Sequence, residues 1–245
     1  MYRAGSGTYF RKTMPNVAIS ESVPALVNSL ESRRGNGGVA FVNYQNPTFL
    51  GERTGGTDMA EGRLKELTPA DMTPEQKRVA ESIQSGPRGS GLRGPFNALL
   101  RSPDLCDVVQ KVGAYIRFNS SIPAKLNELA IIVTGRHWTA QYEFYAHRKL
   151  ALEAGLKPAI ADAVAEGRRP EGMDADETIV YDFATSLMKT GEVSDALYKR
   201  AADRFGERGV MDLTGACGYY SIVSMVLNVA QVPLPAGEKP PLRKL

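Results

Sequence analysis

The sequence predicts an all-α protein: one helical domain preceded by a long irregular extension. Three observations carry this reading. Apolar residues recur at helical spacing, capping signals punctuate the chain, and Val and Ile nowhere alternate with polar residues over a strand's length. The 245 residues are 42% hydrophobic, enough for a packed core and too apolar for global disorder.

The elements follow in order. Residues 1–59 hold 8 of the 24 glycines, including those of Gly35-Asn36-Gly37-Gly38 and Gly55-Gly56-Thr57, and show no sustained periodicity. They are expected to be irregular or disordered. Arg3, Arg11 and Lys12 are followed by no apolar signal core, which disfavours secretion. The first 20 residues lack acidic side chains, so an amphipathic transit segment stays open, as does a start at Met59. The helical domain is placed at residues 60–235 and a Pro-rich C-terminal tail at 236–245.

Thr73-Pro74-Glu75-Gln76 is a capping box with Pro at the first helical position, and Val79 with Ile83 starts an apolar face. Ser85–Pro95 carries four glycines and two prolines and reads as a loop. Helices are expected at Pro103–Phe118, Pro123–Arg136 and Thr139–Ala154, the last closed by Gly155. A short helix spans Lys157–Glu166. Asp174 and Glu177 form a second capping box ahead of Val180, Phe183, Ala184, Leu187 and Met188. Ser194 caps a helix to Phe205, and Gly209–Val229 is the last, most apolar one.

Composition narrows the function classes. A formal charge of +3, scattered along the chain, gives no footprint for nucleic acid. No run approaches the ~18 apolar residues of a membrane span, and the glycine-rich loop lacks the Gly-Lys-Ser/Thr of a P-loop. Two cysteines, Cys106 and Cys217, make no disulfide scaffold and suit a reducing cytoplasm.

Both histidines and the one tryptophan fall in Arg136-His137-Trp138-Thr139-Ala140-Gln141-Tyr142-Glu143-Phe144-Tyr145-Ala146-His147. Glu143 and His147 share a helix face at i, i+4. Glu128 stands in an otherwise apolar run. On one continuous helix it would lie ~22 Å from Glu143, too far to cooperate. Gly135 weakens the helix and Thr139 can cap a new one. If the chain reverses near His137–Trp138, the spacing is nearly symmetric: Glu128 lies nine residues before His137, and His147 nine after Trp138. An antiparallel pair then brings Glu128, Glu143 and His147 to one level. The spacing of the two histidines matches no standard metal pattern. Tyr142, Tyr145, Tyr219 and Tyr220 read as packing residues, any of which can line a pocket.

The chain resembles the carboxymuconolactone decarboxylase superfamily, which includes the alkylhydroperoxidase D-like proteins. The resemblance rests on Glu128, on Tyr142-Glu143-x-x-x-His147 and on Ala151-Leu152-Glu153-Ala154-Gly155-Leu156. It extends to Arg93-Gly94-Pro95-Phe96-Asn97, Tyr181-Asp182-Phe183 and Gly218-Tyr219-Tyr220. It implies a helical bundle assembling as homotrimers or homohexamers, with sites near subunit contacts. The peroxidase branch carries C-x-x-C at the start of this helix; here those positions are Ala140 and Glu143, so thiol peroxidase chemistry is not expected.

The other branch decarboxylates a carboxylated lactone without a cofactor, as part of aromatic-compound catabolism. Such chemistry needs a cation for substrate carboxylates, a donor for the developing enolate and an acid for carbon. On this resemblance His147 is the acid, with Glu143 or Glu128 setting its tautomer, and His137 is a candidate enolate donor. Arg93 or Arg136 would bind carboxylate, and Tyr142 and Trp138 would contact a small acidic or lactone substrate. Two other readings stand beside it: an oxidoreductase or antioxidant protein without the thiol pair, and a non-catalytic oligomeric binding protein.

Overall fold

A computed structural model describes residues 62–87 and 92–243, within one compact unit, Gly56–Leu245. Among the described residues there are eight helices and no strand, the all-α class that the periodicity predicts. The expected irregular extension, residues 1–59, lies outside the described residues, as do residues 88–91 of the expected loop.

Helix α4 (Ala124–His137) is the axis of the fold. Each residue from Leu126 to Arg136 is buried, the pattern of a helix packed on all sides. It lies against α5 (Gln141–Glu153), α7 (Ala175–Thr190) and α8 (Asp195–Ala230). Leu129, Ala130 and Ile132 enter a core shared with Phe144, Ile160, Val180 and Leu213. Ile131 faces a second core built by α1 (Pro74–Gln84), α3 (Pro103–Phe118) and the end of α8. Burying such a side chain stabilises by about 1.5–3 kcal/mol, so α4 ties the two cores together.

Both capping boxes form. The Thr73 hydroxyl accepts from Gln76 N, and the Gln76 carbonyl accepts from Thr73 N at 2.9 Å. Asp174 and Glu177 make the second reciprocal pair at 2.8 Å each way. Glu177 is also buried, and Lys125 bridges it and Asp174 at 2.8 Å each, fastening α4 to α7. Helix α6 (Pro158–Ala165) occupies the short span expected there.

Three local expectations change. The expected loop ends in a short helix, α2 (Pro95–Leu99), which starts after Gly94 at φ 64°. A Cβ on Gly94 would meet the Tyr142 ring at 2.8 Å, so both the backbone angle and the close approach require glycine. Thr139 does not cap α5; its φ is 48°, Ala140 is the N-cap, and no side chain caps that end. Thr139 N instead bonds Arg136 O at 3.0 Å and Ala140 N bonds Gly135 O at 2.9 Å. That is a Schellman closure with a threonine in the left-handed position usually held by glycine. Finally, the helices expected on either side of Phe205–Gly209 run together as α8, bent at Gly206 (φ 71°, ψ 169°).

The later part of α8 is apolar and long enough to satisfy the length and hydropathy of a membrane span, yet 56% of that window is buried against the rest of the chain. Asp212 anchors it, accepting from Ser121 N and Oγ at 2.7 Å and from the Tyr115 hydroxyl at 2.9 Å. Past α8 the chain returns to α5, where the Gln141 amide pairs both ways with the Leu242 backbone at 2.7 and 3.0 Å.

Candidate functional site

The Schellman turn reverses the chain over three residues and lays α5 antiparallel on α4. The symmetric spacing then has its consequence. His147 Nδ1 lies 2.6 Å from Glu128 Oε2, and His147 Nε2 lies 3.1 Å from Glu143 Oε1. All three residues are buried, with Glu128 8%, Glu143 3% and His147 7% exposed. The imidazole therefore spans two carboxylates from two helices.

Burial alone would strip the His147 proton. The negative charges of Glu143 and Glu128, with the Glu128 hydrogen bond, outweigh that and hold its pKa above 6.5. Arg117, at the end of α3, opposes them. The two contacts are unequal. The short one to Glu128 is a hydrogen bond that fixes the ring, and the longer one to Glu143 is an ion-pair contact. A buried charged group of this kind is costly to assemble, and removing one member typically costs ~3–5 kcal/mol.

Other predicted residues go elsewhere. His137 is exposed at the far end of α4, edge-on to Trp138 at 5.4 Å between ring centres, and burial together with Lys189 lowers its pKa. Among the described residues it makes no ion pair or ring contact with Glu128 or His147. Arg93 is exposed beside the half-buried Tyr142, whose hydroxyl burial pushes up and Arg93 draws down. Arg136 is 4% exposed, and its guanidinium finds no hydrogen-bond partner among the described residues; burial and the neighbouring Arg243 weaken its hold on its proton. Trp138 offers its carbonyl to Asn228 at 2.8 Å, while its indole N–H is buried without a hydrogen-bond partner among the described residues.

Two residues from helices distant in sequence bear on His147, Tyr220 by contact and Arg117 by its charge. Tyr220, on α8, meets the His147 ring edge-on at 4.8 Å, and burial with the Glu143 and Glu128 charges keeps its hydroxyl protonated. Arg117 is half-buried, lies over the Phe118 ring at 5.3 Å, and its charge reaches both His147 and Tyr220. The sequence offers Tyr220 as one of four tyrosines able to line a pocket and as part of Gly218-Tyr219-Tyr220, and Arg117 gives no signal there.

Thiol chemistry has no poised group. Cys106 and Cys217 are buried and unpaired, and burial pushes their thiols up to about 12 and about 11. Among the described residues no cluster of His, Cys, Asp and Glu is arranged to hold a metal ion, and both His147 nitrogens already face carboxylates. An open, mostly apolar groove of about 480 Å³ runs between α2 and the end of α8, lined by Leu99, Met225 and Val229 with Arg63 and Arg101. None of the His147 group lines it.

Neither a family model nor a curated protein matches the chain. Among solved structures it is similar to one described as an alkylhydroperoxidase AhpD core, an uncharacterized peroxidase-related protein from Ralstonia eutropha JMP134. The TM-score is 0.59 at 16% identity, over 71% of this chain and 93% of that one. The likeness shows the fold: an alkylhydroperoxidase D-like helical bundle, here without the C-x-x-C pair.

Proposed function

We propose that this chain is a cofactor-free acid–base lyase that removes carbon dioxide from a small carboxylated lactone or related acid. The observation supporting it is the unequal grip on His147, held at 2.6 Å by Glu128 and at 3.1 Å by Glu143 in a buried site. The carbon–carboxylate bond breaks and carbon dioxide leaves. The electron pair moves through the ring alkene onto the lactone carbonyl. His147 Nε2 then returns one proton to carbon and is reprotonated from water. A raised imidazole pKa suits this role, because the group must be charged when the enolate forms.

The fold neighbour's peroxidase-related description gains no support from this site. Ala140 and Glu143 occupy the redox positions, and the two thiols are held protonated. A panel of unsaturated carboxylated γ-lactones, followed by carbon dioxide release, tests the reading. Release from at least one member, lost in His147→Ala, is the expected result. No release from any member overturns the reaction, and full turnover by His147→Ala overturns the role of that residue.

Self-association completes the proposal. Leu105, Val108 and Val112 on α3, and Ile222, Met225 and Val229 on α8, leave two exposed apolar stripes of the kind that oligomers bury. Light scattering on the full chain is expected to give a trimer or hexamer, reduced by Val108→Glu or Val229→Glu. A wild-type monomer overturns this part.

A further inference from the structure

The groove between α2 and the end of α8 lies apart from the His147 group and has no assigned task. Its walls are apolar: Leu99 is buried, Val226 is half-buried, and Met225 and Val229 stand exposed along the α8 side. A volume of about 480 Å³ falls in the range of small-molecule sites. The segment that carries Arg63 and Leu64 along one side is fastened at both ends. Arg63 N donates to Ala230 O at 2.9 Å, and the Asn97 amide pairs both ways with the Leu67 backbone at 3.0 Å. The groove is therefore formed before anything enters it.

Two arginines line the same groove, and hydrogen bonds locate both guanidinium groups. Arg63 Nη1 donates to Val229 O at 3.2 Å, while Arg101 donates to the Asn97 carbonyl and side-chain oxygens and to Lys65 O. Of the five N–H groups on each guanidinium, Arg63 uses one and Arg101 three. All of these acceptors are neutral. Neither arginine makes an ion pair among the described residues, and no acidic side chain lines the groove. The end of α8 contributes roughly half a negative charge, which two full positive charges outweigh. Met225 and Val229 also belong to the α8 stripe proposed above for self-association, so a second copy is the competing occupant. A two-fold copy seating the same face would add its own Arg63 and Arg101 where no carboxylate stands to receive them.

We propose that this groove is a binding site for a small amphiphilic carboxylate, its head held by Arg63 and Arg101 and its apolar body lying along Leu99, Val226 and Val229. The site goes beyond the lyase reading, since none of the His147 group lines it and its walls call for an extended apolar body that a carboxylated lactone lacks. A guanidinium suits the task because its planar fork meets both oxygens of a planar carboxylate. Carbonyl contacts already orient each arginine, so little side-chain freedom is lost when the head arrives.

The test titrates decanoate calorimetrically into the full chain below its micelle concentration, beside 1-decanol and decyltrimethylammonium. Decanoate is expected to bind at least ~10-fold more tightly than 1-decanol, and the cation more weakly than either. Each methylene removed from the tail should weaken binding about threefold. Arg101→Gln should weaken decanoate ~10-fold and Arg63→Gln ~5-fold, with 1-decanol binding unchanged in both. Arg63→Gln keeps the backbone bond to Ala230 O, so that side of the groove stays in place. Ala98→Trp, placed on the groove lining, should weaken both ligands. Equal binding of decanoate and 1-decanol by the wild type overturns the charged head, and no decanoate binding overturns the site. Undiminished decanoate binding in either arginine variant overturns the part of that residue, and in Ala98→Trp it overturns the location. Binding that weakens as protein concentration rises assigns the groove to a second copy and overturns the ligand.

Discussion

The chain has two histidines in one helical hairpin, His137 at the turn and His147 within α5, and they have opposite environments. His147 is buried between two carboxylates and its pKa is raised. His137 is exposed, leans on Trp138, and its pKa is lowered by burial of part of its ring and by Lys189. The residue type is the same and the helices are shared. The difference lies in what stands against the ring: one carboxylate from each helix of the hairpin at His147, and the Trp138 ring at His137. His147 owes its raised pKa to its two carboxylate partners, not to its proximity to other aromatic residues in sequence.

The largest expected effect is on turnover. His147→Ala should lower carbon dioxide release by ~100-fold or more. It should also destabilise the chain by ~3 kcal/mol in urea unfolding, because two buried carboxylates lose their shared cation. His137→Ala should leave turnover within about threefold. Equal losses in the two variants would break the comparison.

Next comes the grip itself. Glu128→Gln removes one negative charge and leaves only a weaker, neutral acceptor, so the imidazole resonance of His147 should titrate at lower pH by NMR, with kcat reduced ~10-fold. An unmoved titration would mean that Glu143 alone sets the proton affinity.

The pH dependence of stability should differ in sign between the two. The His147 pKa is raised on folding, so its contribution is fully present below 6.5 and is lost as pH rises through the folded value. The His137 pKa is lowered, so its contribution is lost as pH falls from 6.5 through its own folded value. Melting temperatures across this range should show the alkaline decline vanish in His147→Gln and the acid decline shrink in His137→Gln. The smallest effect is expected from Thr139→Gly. Relief of the left-handed threonine and the added freedom of glycine nearly offset, giving a gain of at most ~1 kcal/mol with turnover unchanged.

Much of this hairpin was legible in the sequence, because both of its rules are local. Glu143 and His147 meet through helical spacing, and Glu128 joins them through equal counts on either side of a reversal. The means of reversal was not legible. Threonine is a poor left-handed residue, so nothing at Thr139 announces the turn that tertiary packing imposes. Helix α2 was missed because Gly94 and Pro95 signal a break, and it is the Tyr142 ring packed on Gly94 that organises the next turn. Tyr220 was legible only as one of four tyrosines able to line a pocket, for another reason. It meets His147 from α8, and no periodicity within a helix encodes which faces of distant helices converge.

The tightness of the α4–α5 reversal also sets how this region can vary in length. An α-helix turns about 100° per residue, so one residue added between Trp138 and Ala140 would rotate the α5 face by that angle relative to α4. Glu143 and His147 would swing away from Glu128, while α4 kept its contacts with α7 and α8. Insertions and deletions at this turn are therefore expected to separate folding from chemistry: a chain that still builds its bundle but can no longer assemble its acid.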